Sequence, residues 1–112
     1  MPGFRPTAVI VHPDVEASYA DIEEAAKRGR RPETAIWKAL QAAIARVRTE
    51  GQWGEVIPAS RIPPHFVKSY GVTNLYCVDL AGFRRGFYTI VARDVVLLDL
   101  VDHRQYDRWF GL

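Results

Sequence analysis

The chain has 112 residues, of which 48% are hydrophobic and 25% are charged, with one cysteine and a formal net charge of +2 at pH 7. These values are typical of a single globular domain and exclude a disordered, collagenous or disulfide-stapled chain. No apolar run approaches the roughly 20 residues that a membrane-spanning helix needs, and no hydrophobic signal segment opens the chain, so we expect a cytoplasmic protein with no membrane partner.

The first half of the chain predicts one strand followed by two helices. Residues 7–11 form a β-branched run that ends at a His-Pro step. Residues 14–29 have apolar side chains at helical spacing, with an aspartate to cap the start and a glycine to end the helix. Residues 32–50 carry a second apolar stripe, which consists of Ile36, Leu40, Ala43, Ile44 and Val47. The short link between the helices predicts an antiparallel hairpin.

The second half predicts mainly strands. Residues 52–72 contain too many glycines and prolines for a long regular element, although residues 66–68 fit one helical turn. Residues 74–80, 85–92 and 95–101 then predict a three-strand antiparallel meander with short turns. With the first strand beside it, we expect an α/β domain of the α+β type, in which the helical hairpin covers one face of a four-stranded sheet. The expected core includes Leu40, Ile44, Val78, Ile90 and Leu98.

The pattern of histidine and cysteine residues excludes the common metal and cofactor sites. His12, His65 and His103 are far apart in the sequence, and Cys77 is the single cysteine, so no metal-ligand spacing is present. The chain also lacks a nucleophile elbow, a phosphate-binding P-loop and a dinucleotide fingerprint. We therefore expect neither a metal nor a cofactor. Cys77 lies in an apolar alternating stretch and is expected to be buried.

Histidine and tyrosine are concentrated in the second half of the chain, where they occur together with about half of the 15 lysine and arginine residues. Guanidinium groups bind phosphate, aromatic rings stack on bases and imidazole transfers protons near neutral pH, so this set favours contact with RNA. Arg61, Tyr88 and Arg104 are the candidates for RNA binding. The alternative is a solvated charged surface around a small sheet, which has the same composition.

Two local patterns and the order of elements resemble the RelE/ParE superfamily of toxins from type II toxin–antitoxin systems. The patterns are RGFYT, which starts at Arg85, and DHRQYDRWFG, which starts at Asp102. They occur in the expected order after a strand and a helical hairpin, and the resemblance covers most of the chain. It implies a single RelE/ParE-like domain over residues 1–112.

The resemblance to the RelE branch implies an endoribonuclease that cuts messenger RNA on the ribosome without a metal ion. Arg85 matches the phosphate-binding arginine of the family, His103 an acid–base residue, and Tyr106 the aromatic residue that orients or stacks on the message. The two lysines that this branch often carries in the preceding strand are missing, because Cys77 and Asp79 occupy that stretch. The general base is therefore either Lys68 or His103.

The same resemblance leaves the target open. A ParE-like inhibitor of DNA gyrase binds an enzyme and needs no catalytic set, and a non-toxic binding module keeps only the fold. The missing lysines favour these alternatives, whereas His103 and Tyr106 favour the nuclease. The implied partners of the nuclease are a cognate antitoxin protein, the ribosome and messenger RNA. Spacing also suits packing of Tyr106, Trp109 and Phe110 as one helical turn against the sheet.

Overall fold

The computed structural model describes residues 8–50, 54–81 and 84–110, which form an α+β domain. Its strands are β1 (Ala8–Val11), β2 (Glu55–Val56), β3 (Tyr76–Asp79), β4 (Arg85–Val91) and β5 (Asp94–Val101). Its α-helices are α1 (Pro13–Lys27), α2 (Arg31–Glu50), α3 (Pro64–Tyr70) and α4 (His103–Phe110). A short 3-10 turn precedes α3 at Ala59–Arg61. Thr7, Gly82 and Phe83 belonged to predicted elements but lie outside the described residues.

The first helix begins two residues earlier than the sequence predicts, and the prediction of Asp14 as its N-cap is wrong. Pro13 is its first residue, and the Nδ1 atom of His12 accepts a hydrogen bond from the backbone N–H of Asp14 at 3.0 Å. His12 is therefore the N-cap, and Asp14 lies in the first turn, where its negative charge favours the positive end of the helix dipole. The predicted end is confirmed, because Gly29 has a φ of 75° that favours glycine.

The described strands form one mixed sheet of five strands in the order β1-β5-β4-β3-β2. Each neighbouring pair is antiparallel except β1 and β5, which run parallel. The predicted number of four strands is wrong, because Glu55 and Val56 pair with β3. A strand of two residues is too short to show the alternation of apolar and polar side chains that predicts a strand. It also lies in the segment rich in glycine and proline.

An irregularity in β5 changes which side chains share a face of the sheet. Phe87 pairs with Asp99 and Tyr88 pairs with Leu97, which leaves Leu98 as the extra residue of a β-bulge. Leu98 and Asp99 consequently both lie on the face that α3 and α4 cover. This bulge brings the Asp99 carboxylate next to His65 of α3.

Two apolar clusters lie on opposite faces of the sheet. The helical hairpin of α1 and α2 covers the first cluster, in which Leu40 and Val78 are buried, and α3 and α4 cover the second, which contains Leu98. These three residues confirm most of the predicted core. Ile44 and Ile90 are partly buried at the first cluster. The prediction that both long helices cover one face is confirmed.

Candidate functional site

Arg85 and Tyr106 meet on the face of the sheet that α3 and α4 cover. Arg85 begins β4, and Tyr106 lies in the middle of α4. The central carbon of the guanidinium group is 4.2 Å from the centroid of the tyrosine ring, which is a cation–π contact. The Tyr106 ring also stacks on Phe110, with ring centroids 4.6 Å apart. The fold thus brings together the arginine and the tyrosine of the two sequence patterns.

The pKa of the Tyr106 phenol depends on its burial and on the charges around it. Burial raises its pKa above the ordinary value of 10.0, and the positive charges of Arg85 and Arg61 oppose that rise. Arg61 is exposed at the end of the 3-10 turn. Its charge acts on the Tyr106 phenol, and the negative charge of Glu55 acts in the opposite direction.

Asp79 partly compensates the charge of Arg85. The two residues occupy paired positions on β3 and β4, and Nη1 of Arg85 forms an ion pair with Oδ1 of Asp79. The Asp79 side chain is 80% exposed, whereas that of Arg85 is 28% exposed. A phosphate group that approached Arg85 from solvent would compete with this carboxylate.

Cys77 lies beside Arg85 and is buried, as the sequence predicts. Burial raises the pKa of its thiol to about 11, although the nearby Arg85 opposes the shift. The thiol is the less nucleophilic form of cysteine, so Cys77 acts here as a small apolar side chain.

His103 begins α4 and has a carboxylate partner on the same helix. Its Nε2 atom lies 3.0 Å from Oδ2 of Asp107, four residues later, and its side chain is 58% exposed. Asp102 instead caps α4, since its Oδ1 atom accepts the backbone N–H of Gln105 at 2.9 Å. That hydrogen bond lowers the pKa of Asp102, and the charges of Arg84 and Arg104 add to the effect. Asp107 is thus the residue in a position to orient the imidazole.

The other candidate residues are distributed over three elements. Lys68 is exposed on α3, and Arg104 is exposed on α4. Tyr88 is only 3% exposed and lies under the helical hairpin, where its ring stacks on Tyr76 at 5.0 Å. Tyr88 faces away from Arg85, because successive side chains of a strand alternate between faces. Its ring is not available to stack on a base, so we leave it out of the site.

His65 has contacts that sequence reasoning did not find. Its ring stacks on Trp109 with centroids 5.1 Å apart, and its Nε2 atom is 3.9 Å from Oδ2 of Asp99. Burial is the main reason why the pKa of Asp99 is raised, and His65 opposes that shift. The sequence carries no local signal for this pair, because the β-bulge in β5 is what turns Asp99 toward α3.

Among the residues that the structure describes, no group of three or more histidine, cysteine, aspartate or glutamate side chains is arranged to hold a metal ion. In the same part of the chain, no helix is both long enough and apolar enough to cross a membrane. Comparisons of the chain with protein-family models, curated proteins and solved structures find no match. A functional assignment therefore depends on the side-chain geometry and the sequence patterns.

Proposed function

We propose that the protein is a RelE/ParE-type toxin that cleaves messenger RNA on the ribosome. The contact between Arg85 and Tyr106 carries the proposal, because these residues come from the two sequence patterns and meet on one face of the sheet. The guanidinium carbon is 4.2 Å from the centroid of the tyrosine ring. A guanidinium group beside an aromatic ring suits an RNA strand, since the cation binds phosphate and the ring stacks on a base. The positive charge of Arg61 also acts on the Tyr106 phenol.

The proposed reaction is a transfer within the RNA strand. The 2′-oxygen of one nucleotide bonds to the adjacent phosphorus, and the bond from phosphorus to the 5′-oxygen of the next nucleotide breaks. A base takes the proton of the 2′-hydroxyl, and an acid protonates the leaving oxygen, so that a 2′,3′-cyclic phosphate and a 5′-hydroxyl result. Arg85 stabilises the charge that develops on the phosphorus-bound oxygens. Tyr106 orients the message.

His103 is the proposed group for proton transfer, with Lys68 as the alternative base. The Asp107 carboxylate at 3.0 Å orients the His103 imidazole and stabilises its protonated form. We expect His103→Gln to lower the cleavage rate by roughly a hundredfold or more and to change its dependence on pH. If His103→Gln keeps the full rate and Lys68→Ala loses it, Lys68 is the base.

The ion pair between Asp79 and Arg85 favours a second candidate function, a ParE-like inhibitor that binds DNA gyrase. An arginine whose charge a carboxylate already compensates is less suited to phosphate than a free one. A gyrase inhibitor needs no phosphate ligand, so this compensation of the Arg85 charge does not count against it. This candidate requires no proton transfer by His103.

Induced expression in a bacterial host separates the two functions. The nuclease stops growth by stopping translation, and primer extension on cellular messages then detects cuts inside translated codons. Intact messages together with double-strand breaks in DNA would favour gyrase as the target. Normal growth with a folded protein would favour a binding module without toxicity.

The proposed partners are a cognate antitoxin protein, the ribosome and its message, and the proposed location is the cytoplasm. An antitoxin segment that covers Arg61 and Arg85 is expected to carry carboxylates that bind these two arginines. The product of the neighbouring reading frame is the protein to test. Co-expression of that protein is expected to restore growth, and the protein is expected to copurify with this chain.

A further inference from the structure

A second charged surface lies on the flank of α4 where Trp109 meets α3. It is a groove of about 520 Å³ between α3, the end of β5 and α4. We call it the arginine groove, and its lining includes Arg84, Arg104, Arg108, His65, Asp99 and Trp109. A volume of this size matches the range of small-ligand sites, roughly 300–1,000 Å³.

The arginine groove carries cations that are available to a ligand. Arg104 and Arg108 are one helical turn apart on α4 and are both exposed, and the charges of Arg84 and Arg104 both act on Asp102. Within residues 8–50, 54–81 and 84–110, none of these three arginines forms an ion pair. This distinguishes them from Arg85, which is paired with Asp79.

The carboxylates of the groove already have partners. Oδ1 of Asp102 accepts the backbone N–H of Gln105, and Oδ1 of Asp99 accepts that of Leu100, both at 2.9 Å. The second oxygen of Asp99 faces His65 at 3.9 Å. These contacts hold Asp99 in the wall, whereas Asp102 is exposed and its charge acts on Arg84 and Arg104. The three arginines of the groove outnumber its two aspartates, so a net positive charge is left for an anion.

An aromatic wall completes the arginine groove. Trp109 stacks on His65 and makes edge contacts with Phe66 at 5.0 Å and Phe87 at 5.9 Å. Phe66 and Phe87 are completely buried, so they hold the indole in one orientation. A fixed indole beside several cations is a combination that suits nucleotides, since the ring contacts the base or sugar while arginine binds phosphate.

We propose that the arginine groove is a binding site for the phosphate ester of a nucleotide or of an RNA strand, separate from the Arg85–Tyr106 site. The phosphate lies between Arg84, Arg104 and Arg108, and the nucleoside lies against Trp109. This binding requires no cleavage chemistry, so it holds whether the protein is a nuclease or a gyrase inhibitor.

NMR titration of the ¹⁵N-labelled protein tests the site directly. Inorganic phosphate, adenosine 5′-monophosphate and a short single-stranded oligoribonucleotide are added separately at constant ionic strength. We expect each to shift the guanidinium Nε–H signals of Arg104 and Arg108, and we expect the mononucleotide and the oligoribonucleotide to shift the indole N–H signal of Trp109 as well. Signals are assigned by substitution of each residue in turn.

The double variant Arg104→Gln/Arg108→Gln is expected to bind each ligand at least about tenfold more weakly, because charge-assisted hydrogen bonds are lost. The matched control is Arg31→Gln/Arg48→Gln, which removes the same charge from exposed positions of α2. An equal loss in the control, or no shift at Trp109 with any ligand, overturns the proposal. Thermal melting checks that both variants are folded.

The relative affinities identify the physiological source of the phosphate. Similar affinity for the mononucleotide and the oligoribonucleotide indicates a free nucleotide. Much tighter binding of the oligoribonucleotide, with a steep dependence on salt, indicates an RNA strand. The readout is binding alone, so a failure here is separate from a failure of the proposed RNA cleavage.

Discussion

At the scale of single residues, the pairing of Asp79 with Arg85 determines how much of the arginine charge a substrate can use. The pair follows from the register of β3 and β4, which sets the two residues opposite each other. Solvent screens the pair because the Asp79 side chain is 80% exposed, and exposed pairs contribute about 0–1 kcal/mol. Asp79 therefore attenuates the charge of Arg85 without removing it.

Asp79→Asn tests this attenuation. If Arg85 binds the scissile phosphate, removal of the competing charge is expected to raise the rate of message cleavage roughly two- to fivefold, in line with the small free energy of an exposed pair. The measurement is the initial cleavage rate in a translation mixture reconstituted from purified components.

Asp21→Asn serves as the control, because it removes one exposed carboxylate from α1 on the other side of the sheet. A loss of cleavage in Asp79→Asn, with an unchanged melting temperature, would contradict the role of Arg85 as the phosphate ligand. An equal gain in both variants would indicate a general effect of net charge.

At the scale of secondary-structure elements, Tyr70 connects α3 to the beginning of α1. Its hydroxyl group donates a hydrogen bond to Oδ2 of Asp14 at 3.3 Å, and its ring makes an edge contact with His12. Burial, followed by the negative charges of Asp14 and Asp99, raises the pKa of Tyr70 to about 12. The folded state therefore favours the protonated phenol.

This pKa predicts a loss of stability in alkali. Below pH 10, the phenol is protonated in both states, but between pH 10 and about 12 the unfolded chain loses a proton that the folded chain keeps. The free energy of unfolding therefore falls as the pH rises through this range. Tyr70→Phe is expected to reduce that fall, as measured by urea denaturation at several pH values.

The fall should not vanish in Tyr70→Phe, because the pKa of Cys77 is raised to about 11 and that of Tyr106 is also raised. Tyr19→Phe is the matched control, as it removes a hydroxyl that accepts a hydrogen bond from Gln41 on α2. If Tyr70→Phe and Tyr19→Phe have the same effect on the alkaline slope, the assignment to Tyr70 is wrong.

Most of the larger elements were predictable from the sequence because their signals are local. The apolar stripe on α2 and the β-branched runs of β4 and β5 indicate their structure by period alone. The partner of β1 was not predictable, since its parallel pairing with β5 is a long-range contact. The bulge at Leu98 was not predictable either, because an extra residue becomes visible only once the register of both strands is known.

The candidate site was predictable only in part, because some of its contacts depend on long-range pairing of the strands. Arg85 and Tyr106 were found by resemblance, and the structure shows that they touch. The placement of Tyr88 on the opposite face from Arg85 had a local signal, since the two are three positions apart and an odd spacing in a strand implies opposite faces. The contacts of His65 had none, because they depend on the bulge next to Asp99.

At the scale of the whole molecule, the sheet separates two apolar clusters. Leu40 is 1% exposed under the helical hairpin, and Phe66 is completely buried under α3 and α4. We expect Leu40→Ala to lower the free energy of unfolding by about 2–5 kcal/mol, through lost burial and an unfilled cavity.

Phe66→Leu is expected to lower the free energy of unfolding by about 1–3 kcal/mol. The losses of the double variant should add to within about 0.5 kcal/mol, since Leu40 and Phe66 belong to different clusters. Denaturant titration of the single and double variants measures both. An unchanged stability of Leu40→Ala would contradict the packing of α2, and strong non-additivity would contradict the separation of the clusters.

The measurement that tests the proposed function most directly is cleavage of a defined message by the purified protein, with and without ribosomes paused at a known codon. Mapping of the RNA ends is expected to detect cuts within that codon only when ribosomes are present. Arg85→Ala, confirmed to melt normally, is expected to lower the rate by about a hundredfold. A message that stays intact on programmed ribosomes at every concentration of the folded protein would contradict the assignment as a nuclease.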